Sequence, residues 1–242
     1  MAGTGVCNVL CSPFILLHGT EGNTGYWRAR NVPPKYSNAL MSNLPIKAEN
    51  PTAYQWVQKY VGNILENAEN GIGLFFYSIP NPSNRLGTGT GKTTSAVTIL
   101  NEYVLARIVQ HSKGEKLIEK QPALFYKASE FQTLYNSQFR GTPDMQEKAS
   151  HKYYKVKDLL MKVEMLVFDD IGIRQKITDA FENELTEIID ARDSNQLATI
   201  YTSNIPVEKL AETMGERIAS RIEGMTVQIA FKGKDFRKGG IL

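Results

Sequence analysis

The chain is poor in cysteine: two among 242 residues, Cys7 and Cys11, cannot staple a disulfide framework. It lacks any apolar run near the ~20 residues that a membrane-spanning helix needs. The short stretch Pro13-Phe14-Ile15-Leu16-Leu17 follows no basic segment and makes a poor signal peptide. Charge of one sign is also scarce, the net being +3 from 28 basic and 25 acidic residues. Bulk attraction to a polyanion is therefore weak, and nucleic-acid contact must come from local clustering. Internal repeats and low-complexity tracts are missing, which excludes solenoids and disordered arrays. What is present is 42% hydrophobic residues, enough for one sizeable core or a core with a small appendage. These absences predict a cytoplasmic protein with no membrane contact.

The first 45 residues differ from the rest. Gly19, Gly22, Gly25 and the Pro33-Pro34 pair break regular structure there, so 1–45 reads as a short irregular N-terminal segment, a possible zinc or partner-binding element, ahead of one α/β domain over 46–242. Asn50-Pro51 opens a helix, with Tyr54, Val57, Val61 and Ile64 at helical spacing and Gly71 as a stop. A buried strand is predicted over 72–77 and a helix over 93–109 with Val97, Leu100, Val104 and Ile108 on one face. Strands then fall at 123–127, 164–168, 198–202 and 226–230. Helices fall at 129–137, 144–160, 178–192 and, as one or two pieces, 207–222. Strands alternating with helices predict a five-stranded, mainly parallel sheet covered on both faces.

Between the first strand and its helix lies Gly87-Thr88-Gly89-Thr90-Gly91-Lys92-Thr93-Thr94. Glycines let backbone N–H groups curl around phosphates, a lysine supplies charge to the outer phosphates, and a threonine hydroxyl binds magnesium at a helix N-terminus. The usual pattern begins with a glycine where this chain has Leu86, and the Pro/Asn/Ser-rich loop 78–85 precedes it, so the entry to the cradle must differ from the common form. Met165-Leu166-Val167-Phe168 ends in Asp169-Asp170. Acids at the carboxyl end of an apolar strand suit a magnesium shell and the orientation of an attacking water. Thr199-Ile200-Tyr201-Thr202-Ser203 ends at Asn204, which can meet that water or the outermost phosphate, or simply shape the turn before Pro206.

These motifs, with Gly215-Glu216-Arg217-Ile218-Ala219-Ser220-Arg221-Ile222, resemble in order and spacing the DnaC/DnaI-type replicative helicase loaders, which are AAA+ P-loop ATPases that many bacteriophages also encode. The resemblance spans residues 30 to 238. It implies ATP and Mg2+ as cofactors, Lys92 and Thr93 on phosphate and magnesium, Asp169 as magnesium acid, Asp170 as catalytic acid and Asn204 as first sensor. Arg221 would be an arginine finger offered to a neighbouring subunit, with Arg217 and Arg237 as alternatives. The implied partners are a hexameric replicative helicase, single-stranded DNA and further copies of the chain, in the host's cytoplasm if phage-encoded. Asp170 stands where many relatives carry Glu, one methylene longer, which implies slow hydrolysis. An IstB-like transposition ATPase carries nearly the same motifs, and a non-hydrolysing ATP-dependent adaptor is the reading of another class.

Cys7, Cys11 and His18 are three candidate zinc ligands, one short of a closed structural site, or else ordinary side chains in a reducing compartment. Lys148, Lys152, Tyr153, Tyr154, Lys155 and Lys157, with Tyr126, Lys127, Phe139 and Arg140, mix basic and aromatic groups as single-strand binders do, or form a solvated amphipathic helix.

Overall fold

The computed structural model describes residues 11–118, 120–172, 177–233 and 235. Two short helices, α1 (Ser12–His18) and α2 (Gly25–Ala29), precede α3 (Pro51–Gly62) and α4 (Ile64–Glu69). Then come β1 (Gly73–Ser78), α5 (Lys92–Ser112), β2 (Ala123–Lys127), α6 (Ala128–Ser137), α7 (Pro143–Lys162) and β3 (Met165–Ile171). The chain continues through α8 (Asp179–Ser194), β4 (Ala198–Ser203), α9 (Leu210–Met214), α10 (Glu216–Met225) and β5 (Thr226–Phe231).

The five strands pair in parallel in the order β2-β3-β4-β1-β5. Because side chains alternate across a strand, Leu74 and Phe76 of β1 enter one core with α3, α4 and α5, whereas Phe75 enters the other with α6 to α10. Burial on both faces explains why the strands read as nearly continuous apolar runs. The four α5 residues expected on one face, Val97, Leu100, Val104 and Ile108, are all buried. Burying an aromatic such as Phe75 stabilises the fold by ~1.5–3 kcal/mol. In this topology β1, β3 and β4 lie side by side, and their carboxyl ends carry the three motifs.

Residues 11–45 are more ordered than their glycines suggested. Gly25 has φ 68°, and a Cβ there would lie 2.7 Å from the Leu17 carbonyl, so the turn between α1 and α2 closes only on glycine. The turn lets Leu16, Leu17, Tyr26 and Trp27 pack against the α5 core. Arg30 is buried, its Nε donating to Asn101 Oδ1 at 2.7 Å and its Nη2 to the Ser37 carbonyl at 2.9 Å, with the guanidinium 3.6 Å from the Trp27 ring centre. Burial lowers its pKa to about 10, which leaves it charged at neutral pH. The Arg30 carbonyl accepts from Phe125 N at 2.8 Å, and Asn31 Nδ2 donates to the Phe125 carbonyl at 3.1 Å. The segment thereby covers the outer edge of β2, satisfying backbone groups that an edge strand otherwise exposes.

Candidate nucleotide site

The connection from the end of β1 at Ser78 to the N-terminus of α5 at Lys92 closes with Gly87 to Gly91. Gly91 is the N-cap residue at φ 99°, and a Cβ there would lie 2.4 Å from Ile46 Cγ2, so only glycine admits this close entry to the helix. The α5 N-terminus presents unpaired N–H groups and the positive end of its dipole to the loop. Lys92 is buried, its Nζ donating to Ser78 Oγ, to the Gly87 carbonyl at 3.1 Å and to Asn204 Oδ1 at 3.0 Å. Ser78 in turn donates to the Gly87 carbonyl. These contacts hold the ammonium at the mouth of the loop, where an anionic ligand can be reached by a charge-assisted hydrogen bond.

Asp169 is buried beside it. Its Oδ1 accepts from Thr93 Oγ1 at 2.8 Å and from Thr202 Oγ1 at 2.7 Å. Burial pushes its carboxyl above the ordinary range; hydrogen bonds from Thr202 and Thr93 oppose the rise, Asp170 adds to it and Lys127 opposes it. A threonine hydroxyl with a carboxylate is a hard oxygen pair of the kind magnesium takes.

Asp170 departs from the simple strand end that was expected. β3 continues through both acids to Ile171, and its register on β4 slips between Phe168 and Ile171. The pairs Phe168↔Tyr201 and Ile171↔Ser203 leave one extra residue on β3. Asp170 sits in this bulge at φ 58°, a left-handed conformation that Asp tolerates better than most residues. Its N–H donates to Thr202 Oγ1 at 2.9 Å, and its Oδ1 accepts from Asn204 Nδ2 at 3.1 Å. Thr202 therefore braces both acids, and Asn204 joins Lys92 to Asp170. The sequence reading gave roles to neither Ser78 nor Thr202. Their signal was a hydroxyl residue at the carboxyl end of an apolar strand, the same place that marked Asp169.

A cavity of about 320 Å³ opens beside the loop, lined by Gly89 to Thr94 and walled by Lys35, Tyr36 and Pro45. The N-terminal segment thus contributes to the site. The loop's left-handed glycines, its buried lysine and the Thr93–Asp169 oxygens fit a magnesium nucleotide.

Arg217 and Arg221 do not converge here among the described residues. They project from α10 onto α8, Arg217 Nη2 lying 2.8 Å from Asp190 Oδ2 and Arg221 Nη1 3.5 Å from Asp193 Oδ2. Arg221 Nε is 3.0 Å from Asp190 Oδ1, a charge contact rather than an aligned hydrogen bond. Arg237 lies outside the described residues.

The zinc reading finds no support. Cys7 lies outside the described residues, Cys11 is exposed ahead of α1, and the His18 ring packs against Phe14 and Trp27. No three His, Cys, Asp or Glu side chains gather for a metal among the described residues.

Part of the nucleic-acid reading is corrected too. Tyr153 is buried, stacked on Phe131 and bonded to Glu184. Lys157 is buried between Glu184 at 2.6 Å and Glu187 at 2.7 Å. Both face the core because α7 packs on α8, whose glutamates neutralise the lysine. Tyr154 and Phe139 remain exposed, with Arg140, Lys152 and Lys155. No helix among the described residues is long and apolar enough to cross a membrane.

No family model matches the chain. The replicative helicase loader DnaC of Escherichia coli K12 is 22% identical over 213 residues, covering 85% of this chain and 72% of the relative. The crystal structure of the DnaC helicase loader superposes with a TM-score of 0.58 at 23% identity, covering 83% of this chain and all of that one. DnaI gives 0.57 at 19%, covering 84% and 93%. The replication initiator DnaA bound to AMPPCP and single-stranded DNA gives 0.57 at 18%, covering 84% and 51%. In sequence the chain is similar to the replicative helicase loader DnaC, and in fold, a five-stranded parallel sheet flanked by helices, it is similar to DnaC and DnaI.

Proposed function

We propose that the chain is an ATP-dependent loader in DNA replication, engaging a hexameric replicative helicase and single-stranded DNA with nucleotide state as its switch. The observation that carries the nucleotide reading is the meeting of Lys92 at the start of α5, Asp170 in the β3 bulge and Asn204 just after β4 in one hydrogen-bonded chain. Lys92 and the loop N–H groups would bind the outer phosphates, and the cavity walled by Tyr36 would take the base. Thr93 and Asp169 would hold magnesium, which supplies charge neutralisation at the phosphates when bound. Asp170 and Asn204 would hold and orient the attacking water. The similarity to DnaC supports the loader reading, and the exposed Phe139, Arg140, Lys152, Tyr154 and Lys155 support single-strand contact.

Calorimetric titration with ATP·Mg2+ tests the site: the wild type binds, and Lys92→Ala binds at least about thirtyfold more weakly, since truncating one partner of a buried charged contact costs ~2–5 kcal/mol. Unchanged affinity in a folded Lys92→Ala protein sinks the assignment. Recovery of the host's helicase on immobilised protein with ATP, and not without, tests the loader role. Recovery of a transposase instead favours the IstB-like reading. The non-hydrolysing adaptor is favoured by the bulge at Asp170, whose shorter acid is already bonded to Asn204; binding without any turnover would establish it.

A further inference from the structure

The loop 78–85, which lengthens the entry to the phosphate loop, has a visible structural task. Asn81 Nδ2 and Asn84 Nδ2 both donate to the Gly233 carbonyl at 3.2 Å, and Asn84 also donates to the Thr88 carbonyl at 2.8 Å. The loop is thus stapled to the segment that leaves β5. A second staple comes from Asn50, the residue ahead of α3. Its side chain does not cap that helix; its Oδ1 accepts from Lys232 N at 2.7 Å. The stapled segment carries a carboxylate onto the phosphate loop. Asp235 Oδ2 accepts from Thr88 Oγ1 at 3.1 Å, and its Oδ1 lies so close to Gly89 that a Cβ there would be 1.7 Å away.

We infer that Asp235 is a latch displaced by nucleotide: its carboxylate sits on the phosphate loop, competes with an incoming polyphosphate, and on expulsion loosens the stapled residues Lys232 and Gly233. This rests on the nucleotide reading of the loop. The loop's N–H groups and Lys92 attract anions, and Asp235 is an anion already seated at its rim. A polyphosphate in the loop would lie within a few ångströms of that charge, and like charges at such range repel. The repulsion is relieved when Asp235 swings away, which breaks the Thr88 contact and loads strain onto the Gly233 staples. Loop occupancy is thereby converted into loosening of the backbone at Lys232 and Gly233.

The test uses the full chain. Asp235→Asn keeps the shape and a hydrogen-bonding oxygen but removes the charge. It should bind ATP about tenfold more tightly, with a smaller gain for AMP, which lacks the outer phosphates, and at high salt. In the wild type, trypsin should cut after the exposed Lys232 faster when a slowly hydrolysed ATP analogue saturates the protein, and AMP should have less effect. Wild-type affinity in Asp235→Asn, or cleavage after Lys232 that the analogue leaves unchanged or slows, overturns the latch while leaving the site intact. If neither protein binds nucleotide, the nucleotide reading falls and the latch with it.

Discussion

Asn204 accepts a hydrogen bond from Lys92 at 3.0 Å although the two are 112 positions apart. The same amide donates from its other end to Asp170 at 3.1 Å. Its orientation is fixed by having a cation on one side and an acid on the other. A group held so can place a water without reorganising during the reaction. Asn204→Ala should keep ATP affinity within a few-fold and lower turnover ~10²-fold, as loss of a preorganised donor does. A parallel loss of binding, measured by calorimetry beside steady-state hydrolysis, would make Asn204 a support for Lys92 instead.

The two acids should separate. Asp170→Asn should leave binding nearly intact and reduce turnover, because Asp170 is the exposed member and its carboxylate is held by Asn204. Asp169→Asn should abolish the magnesium dependence of binding.

Asp169→Asn should also stabilise the ligand-free fold at neutral pH. Burial raises the Asp169 carboxyl, so the folded chain holds this proton to higher pH than the unfolded chain does. Stability contributed by this group therefore falls as pH rises from the ordinary carboxylate range through the raised value. An amide avoids that cost while still accepting from Thr93 and Thr202. A gain of ~1 kcal/mol would appear as about 2–4 °C in Tm at pH 7, shrinking towards pH 4. A lower Tm at pH 7 counts against the burial argument.

The ion pairs of Arg217 and Arg221 are surface contacts worth ~0–1 kcal/mol, so a neighbouring subunit can take either arginine cheaply. Arg221→Ala should bind ATP normally yet lose hydrolysis or nucleotide-dependent assembly. Mixing it with Lys92→Ala protein should restore some activity through composite sites. Asp190→Asn, which loosens both arginines, should raise assembly at low protein concentration. If mixing restores nothing while the wild type is active, Arg221 does not act in trans.

Tyr154→Ala and Phe139→Ala should each weaken single-stranded DNA binding by ~1–3 kcal/mol, roughly five- to a hundredfold, while leaving the melting temperature near that of the wild type. Binding should fall steeply with salt and exceed that to duplex. Tyr153→Ala should instead destabilise the fold by ~3–5 kcal/mol. Equal affinity for duplex and single strand would replace stacking with general basic attraction.

The strands and long helices were legible in the sequence because each is a local pattern: β2 falls on the residues expected, and α5 extends only a turn past its prediction. What escaped depends on distant partners. The bulge that turns Asp170 exists because β3 is registered against β4, which no window around residue 170 reveals. Nothing next to Arg30 in sequence signals its burial, which comes from distant Asn101 and the Trp27 ring. Lys157 reads as a DNA contact until the α8 glutamates claim it. Asn50 looked like a helix cap because its local neighbours suit one, whereas its partner lies at the end of the sheet.

The strand order has a consequence for how the protein is made. β1 emerges first from the ribosome, yet its neighbours in the sheet are β4 and β5, the last two strands synthesised. Until then the apolar run of Leu74, Phe75 and Phe76 has both edges unpaired, and β2 and β3 can pair only with each other. Closure of the sheet waits for the final part of the chain, which favours slow folding and exposure to aggregation. A nascent chain halted after β3 would carry the whole phosphate loop without Asn204 or the strand that bears it. Such a fragment would expose apolar surface and lack a side of the site.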